Sequence, residues 1–93
     1  MVRIVATFRV EDLDRWEAGF QRHGELFRQQ GVISPLRYDT ATQDNRVVLN
    51  GECEDLERLL ESLRGEEAAA AMAEDGIVEG SFRLFVTERE FSF

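Results

Sequence analysis

Few side chains in this sequence can exchange a proton near neutral pH. Histidine occurs once, at position 23, cysteine once, at 53, and tyrosine once, at 38. All eleven basic residues are arginine. The lack of lysine excludes Schiff-base chemistry and a P-loop. A single His and a single Cys exclude a structural zinc site built from those ligands and an internal disulfide, and no metal is expected. Cys53 stands among Glu52, Glu54 and Asp55, carboxylates that keep a thiol protonated, so it reads as inert. Proton chemistry therefore falls on His23, whose side-chain type titrates ordinarily at about 6.5, or on a carboxylate whose pKa is raised.

His23 belongs to a stripe. Leu13, Trp16, Phe20, His23 and Phe27 recur at spacings of three and four, one face of a helix. One reading makes His23 the acid/base or hydrogen-bonding group of a small aromatic pocket walled by Trp16, Phe20 and Phe27. The other makes it a partly buried histidine bonded to a carbonyl or carboxylate, within a stripe that is simply core. Gly19 and Gly24 flank it. Each costs a helix interior about 1 kcal/mol relative to alanine, which implies close backbone packing or space left for another group. Tyr38 is the second catalytic candidate, its hydroxyl aimed either at the same cavity or at the surface.

The elements that must position these residues follow from periodicity. Residues 2–10 alternate, with Val2, Ile4, Ala6, Phe8 and Val10 on one face of a strand. A helix follows, capped by Asp12 or Asp14 and stopped by Gly31. Residues 32–40 read as a second strand, and Pro35 confines it to a sheet edge or a bulge. A polar turn at 41–45 leads to a third strand at 46–53. A second helix starts near Leu56, falters at Gly65, resumes through the alanine-rich run and ends at Gly76. Its carboxylates read as a solvated face. Residues 78–91 read as the last strand. No repeat or linker interrupts the series, so one domain spans 1–93. The order β-α-β-β-α-β is that of a ferredoxin-like α+β fold: a four-stranded antiparallel sheet with two helices on one face.

Such a sheet leaves its other face bare. That face would carry Val5, Thr7, Arg37, Val48, Asn50, Arg83 and Phe85. A second copy is the simplest cover, giving a homodimer. Thr7, Arg37, Asn50 and Arg83 would then either bind an anionic group inside the resulting barrel or bond across the interface. Phe91 and Phe93 share a face of the terminal strand, and the tail is expected to cross onto the partner, the alternative being that it packs on its own subunit or stays disordered.

With these residues laid out, the chain resembles the dimeric α+β barrel superfamily, in particular its small antibiotic-biosynthesis-monooxygenase-like and cyclase-like members. The resemblance rests on Val10 to Trp16, Phe20 and His23, the run Gln30-Gly31-Val32, Asp55-Leu56, and the segment from Leu63 to Gly80. It implies a ligand cavity between helices and sheet, a dimer, and chemistry on an aromatic or polyketide-like molecule without a cofactor. Quinone-forming relatives carry a Trp at the end of strand three and a His soon after. This chain has Gly51-Glu52-Cys53-Glu54-Asp55 there. A non-catalytic binding or regulatory module is the alternative reading, and haem ligation by His23 a weaker one.

The net charge of −8, with arginines scattered among more numerous carboxylates, argues against nucleic acid and anionic membranes as partners. No apolar run is long enough to span a bilayer. The lone cysteine fits a reducing cytoplasm.

Overall fold

The computed structural model describes residues 2–29, 31–41 and 43–88. Phe91 and Phe93, and with them the expected crossing of the tail to a partner, lie outside the described residues. The chain runs through strand β1 (Val2–Arg9), helices α1 (Leu13–Arg22) and α2 (Gly24–Gln29), strands β2 (Val32–Ala41) and β3 (Arg46–Cys53), helices α3 (Leu56–Leu63) and α4 (Glu66–Glu74), and strand β4 (Arg83–Thr87). The sheet order is β2-β3-β1-β4 with every neighbouring pair antiparallel. This is the ferredoxin-like architecture that the element order predicts.

The alternation in β1 decides which face is covered. Ile4, Ala6 and Phe8 are buried beneath the helices, and Val10 continues the row. Val47 and Cys53 of β3 have no exposed surface on the same side. Trp16 joins Ala6, Phe8, Val10 and Val47 in one cluster, while Leu59 joins Ile4 and Cys53 in a second. Burial raises the Cys53 thiol above its ordinary pKa, and the charge of Asp55 adds to the effect. β2 is an edge strand, and its register with β3 slips between Ile33 and Arg37. Pro35 lies within that slip, since a residue without an N–H cannot serve a regular ladder.

Three features depart from the expectation. The first helix is two, broken at His23, whose backbone has φ −94° and ψ 16°. The last strand starts at Arg83, five residues later than expected. Gly76 and Gly80 both have positive φ, so residues 77–82 turn instead of pairing continuously. Val10 bridges Ile77 alone, and the Ser81 hydroxyl donates to the Val78 carbonyl (2.6 Å) and accepts from the Arg9 amide (3.1 Å).

The third departure is an internal repeat. Glu11-Asp12-Leu13-Asp14-Arg15-Trp16 is echoed by Glu54-Asp55-Leu56-Glu57-Arg58-Leu59, and the two copies do the same thing. Asp12 caps α1 by accepting from the Arg15 amide, and Asp55 caps α3 by accepting from the Arg58 amide, each at 3.1 Å. Each arginine then reaches to the far end of the other half's helical arm. Arg15 donates to the carbonyls of Ala73 and Glu74 at the end of α4, with Nε 3.0 Å from Glu74. Arg58 donates to the carbonyls of Arg28 and Gln29 at the end of α2, with Nε 2.8 Å from Gln29. Gly76 and Gly31, at φ +76° and +82°, sit against those two guanidiniums. A planar fork satisfies carbonyls that the helix end leaves open.

Replacing Arg58 by Ala should therefore destabilise the fold by about 1–2 kcal/mol, the order of two lost hydrogen bonds from a charged donor near the surface. Arg22→Ala, which removes only an exposed ion pair to Glu74, should cost about 0.5 kcal/mol or less. Urea unfolding of the two variants measures the difference.

Candidate functional site

Two helix ends meet over the sheet. His23 is the C-cap of α1 and Asp75 the C-cap of α4. The His23 Nδ1 lies 3.0 Å from Asp75 Oδ2. An ionised carboxylate only accepts, so Nδ1 carries the proton of this bond, and in the neutral imidazole Nε2 is then the acceptor. The His23 side chain is 21% exposed and that of Asp75 9%. The other carboxylate oxygen, Oδ1, is buried with no hydrogen-bond partner. Leaving such an acceptor unmet costs about 1–3 kcal/mol.

Gly19 makes this arrangement sterically feasible. A Cβ at that position would fall inside the Asp75 carboxylate. The glycine one turn before His23 thus leaves room for a carboxylate from another helix. Gly24 is different, since a Cβ there would meet nothing within 4 Å. Arg15, through the α4 carbonyls, and Arg22, 3.7 Å from Glu74, bind the same helix end to α1. Their positive charge offsets a carboxylate placed where the helix dipole disfavours it.

His23 and Asp75 stand on the wall of a cavity of about 110 Å³ between the helices and the sheet. Trp16, Phe20 and Phe27 also line it, together with Phe8 and Phe82. The rings pack obliquely: Trp16 to Phe20 and Phe20 to Phe27 both at 5.2 Å between centroids. His23, Trp16, Phe20 and Phe27 are thus brought together. Tyr38 packs on two of these rings, Trp16 and Phe20, without reaching the cavity wall. It meets Trp16 edge-on at 5.0 Å, and its hydroxyl donates to Glu17 at 2.7 Å. That bond, then desolvation and the charge of Glu17, raise the Tyr38 hydroxyl above its ordinary pKa.

Thr7, Arg37, Asn50 and Arg83 lie on the opposite sheet face, remote from His23. Asn50 pairs in register with Val5 and Arg37, and Thr7 with Arg83. Thr7 accepts a hydrogen bond from Arg46 at 3.3 Å. Arg83 folds back onto the carbonyls of Gly80 and Phe82 at 2.9 and 2.8 Å. Among the described residues no group of three or more His, Cys, Asp or Glu is placed to hold a metal ion.

Asp75 is the residue that sequence reasoning passes over. The signal available was weak: a carboxylate at the C-terminal end of a helix, where the dipole opposes it, directly before Gly76.

Gly19→Ala should lower stability by about 1–3 kcal/mol, because the added methyl displaces a buried carboxylate. This outweighs the gain of about 1 kcal/mol that alanine brings to a helix interior. Gly24→Ala should be neutral or stabilising. Thermal unfolding of the pair checks the sign of each change.

Neither a family model nor a curated protein matches the chain. Solved structures do. A Bordetella bronchiseptica protein described as a candidate antibiotic biosynthesis monooxygenase superposes with a TM-score of 0.73 at 13% identity, over 97% of both chains. SnoaB of Streptomyces nogalater, described as a cofactor-independent oxygenase, superposes with a TM-score of 0.69 at 21% identity, over 97% of this chain and 94% of its own. A Nitrosomonas europaea protein of the first description gives 0.64 at 11% identity, over 98% and 100%. The fold of this chain is that of the antibiotic-biosynthesis-monooxygenase-like structures.

Proposed function

We propose that this chain is a small acid/base enzyme acting on an aromatic molecule in the cavity beneath α1 and α4, with no resident cofactor. The observation that carries the reading is the His23–Asp75 pair on the wall of an otherwise apolar cavity. Asp75 fixes the tautomer of His23 and leaves Nε2 to take a proton from an O–H or C–H acid. Low surrounding polarity strengthens the electrostatics of such a transfer. The anion of a CH2 acid would react with dioxygen in a monooxygenase-like reaction, one oxygen atom becoming a carbonyl at that carbon and the other leaving as water with its two hydrogens; in a cyclase-like one the carbanion would instead add to an electrophilic carbon of the same molecule. The likeness in fold to SnoaB, described as a cofactor-independent oxygenase, supports this class of reaction. Tyr38, bonded to Glu17, has no part in it here.

A non-catalytic binding module is the second reading. What favours it is the stretch Gly51 to Asp55, which lacks the Trp and His of the quinone-forming proteins the sequence resembles. The two readings part at His23→Gln. In an enzyme, kcat on an oxidisable or cyclisable aromatic substrate falls about 100-fold or more, the usual worth of a positioned base, while the far-UV spectrum is unchanged. Equal turnover by wild type and variant would sink the enzymatic reading.

The unit is proposed to be a homodimer in which two open sheet faces meet. Phe85, 53% exposed, stands on that face opposite Val5, and an aromatic left in water there needs a cover. Phe85→Glu should convert the dimer to a monomer in light scattering at micromolar concentration. A monomeric wild type would refute the assignment.

A further inference from the structure

We propose that one end of the open sheet face binds a phosphate-type oxyanion, held by Arg9, Arg46 and Arg83 around Thr7, and that this anion supplies the countercharge two copies need in order to meet there. The inference rests on the homodimer reading above and concerns what that interface must hold.

The charge of the chain is unevenly spread. The ladder registers place Arg3, Arg9, Arg37, Arg46 and Arg83 on the open face, against Asp39 and Glu52. Five of the eleven arginines thus share a face with two of the nineteen carboxylates, on a chain whose net charge is −8. Val5, Val48 and Phe85 on the same face favour cover by a second copy. Yet two copies meeting there bring two positive faces together, and charges withdrawn from water must be paired. A nucleic acid or an anionic membrane would also meet the acidic remainder of the chain. A small anion would not.

The excess is concentrated at one end. Arg9 stands directly opposite Arg46 in the ladder of β1 and β3, a like-charge pair that disfavours the sheet. Arg83 stands opposite Thr7, on the next rung of the same face. Cross-strand partners have Cβ atoms about 4.5–5.5 Å apart and diagonal neighbours lie about 7–8 Å apart, so three arginines of full length can close on one anion. Arg46 already reaches over β1, its Nη1 3.3 Å from the Thr7 hydroxyl. That hydroxyl accepts from Arg46 and keeps its own hydrogen to donate. Asp44, 3.3 Å from Arg46 Nε, is the one carboxylate bonded to the group among the described residues. Arg83 turns back onto the carbonyls of Gly80 and Phe82, and the Arg9 guanidinium has no partner among the described residues. Three arginines and one aspartate leave positive charge to be met. A tetrahedral oxyanion offers oxygens to forks arriving from three strands, whereas a carboxylate offers two in one plane.

The test measures the dimer dissociation constant of the whole protein by sedimentation equilibrium, at fixed ionic strength, in millimolar pyrophosphate, malonate or chloride. Pyrophosphate should tighten the dimer about tenfold or more relative to chloride, and malonate should match chloride to within about twofold. The double variant Arg9→Gln, Arg83→Gln should dimerise in chloride at least as tightly as wild type, because repulsion is removed, and should lose the response to pyrophosphate. Arginines that only bond across the interface would weaken the dimer when replaced. A wild type indifferent to pyrophosphate, a malonate effect equal to that of pyrophosphate, or a variant that still responds overturns the proposal. ADP as effective as pyrophosphate assigns the site to a phosphate carried by a larger ligand, and pyrophosphate alone assigns it to the free anion; both uphold it. A wild type that stays monomeric yet binds pyrophosphate in calorimetry removes the homodimer reading and leaves the anion site. A dimer blind to pyrophosphate does the reverse.

Discussion

A carboxylate occupies the space where Gly19 has no side chain, and much of the helical layer is arranged around it. Asp75 enters from the end of α4, and its carboxylate takes space on α1 that only a glycine leaves open. Its outer oxygen holds the imidazole of His23 at the point where the first helical arm breaks. A buried carboxylate is costly unless paired. Here one oxygen is paired and the other is not, so the fold carries a local deficit at one end of its cavity.

The arginine clamps explain how that deficit is tolerated. Each half of the chain opens its helical arm with the same aspartate cap and sends the arginine three residues later across to the other half's last carbonyls. The two clamps are alike, but the sites beside them are not. The clamp by Arg15 stands over Gly76 and the Asp75 end of the cavity, while the clamp by Arg58 stands over Gly31. A quasi-twofold scaffold thus carries the His23–Asp75 pair at one end only. The exclusive use of arginine suits this role, since an ammonium on a flexible stem lacks the planar fork that spans two carbonyls.

Much of the scaffold was legible because strands advertise burial by alternation. The row Ile4, Ala6, Phe8 and Val10 identified the covered face, and Pro35 identified an edge strand with an irregular register. The break at His23 was not legible, because the apolar stripe continues in phase to Phe27 and periodicity does not register a bend. The shortness of β4 depends on Gly80 adopting positive φ, which composition alone does not dictate. The repeat is hard to read because only the helix starts share it; the strands and second helices of the two halves differ in sequence. Asp75 escaped because a solvated acid and a buried one are the same letter.

The sheet order has a consequence for how the molecule comes together. Counting β1, α1, α2 and β2 as one half and the rest as the other, every hydrogen-bonded strand pair joins a strand of one half to a strand of the other. Neither half owns a sheet. Only the β2–β3 hairpin closes locally, around residues 43–45. The first strand must wait for β3 on one side and for Arg83–Thr87, some eighty residues downstream, on the other. During synthesis its apolar row therefore emerges long before both of its neighbours exist. Such long-range closure slows folding and makes it all-or-none, so the nascent chain is most vulnerable to mispairing just before its final strand is made.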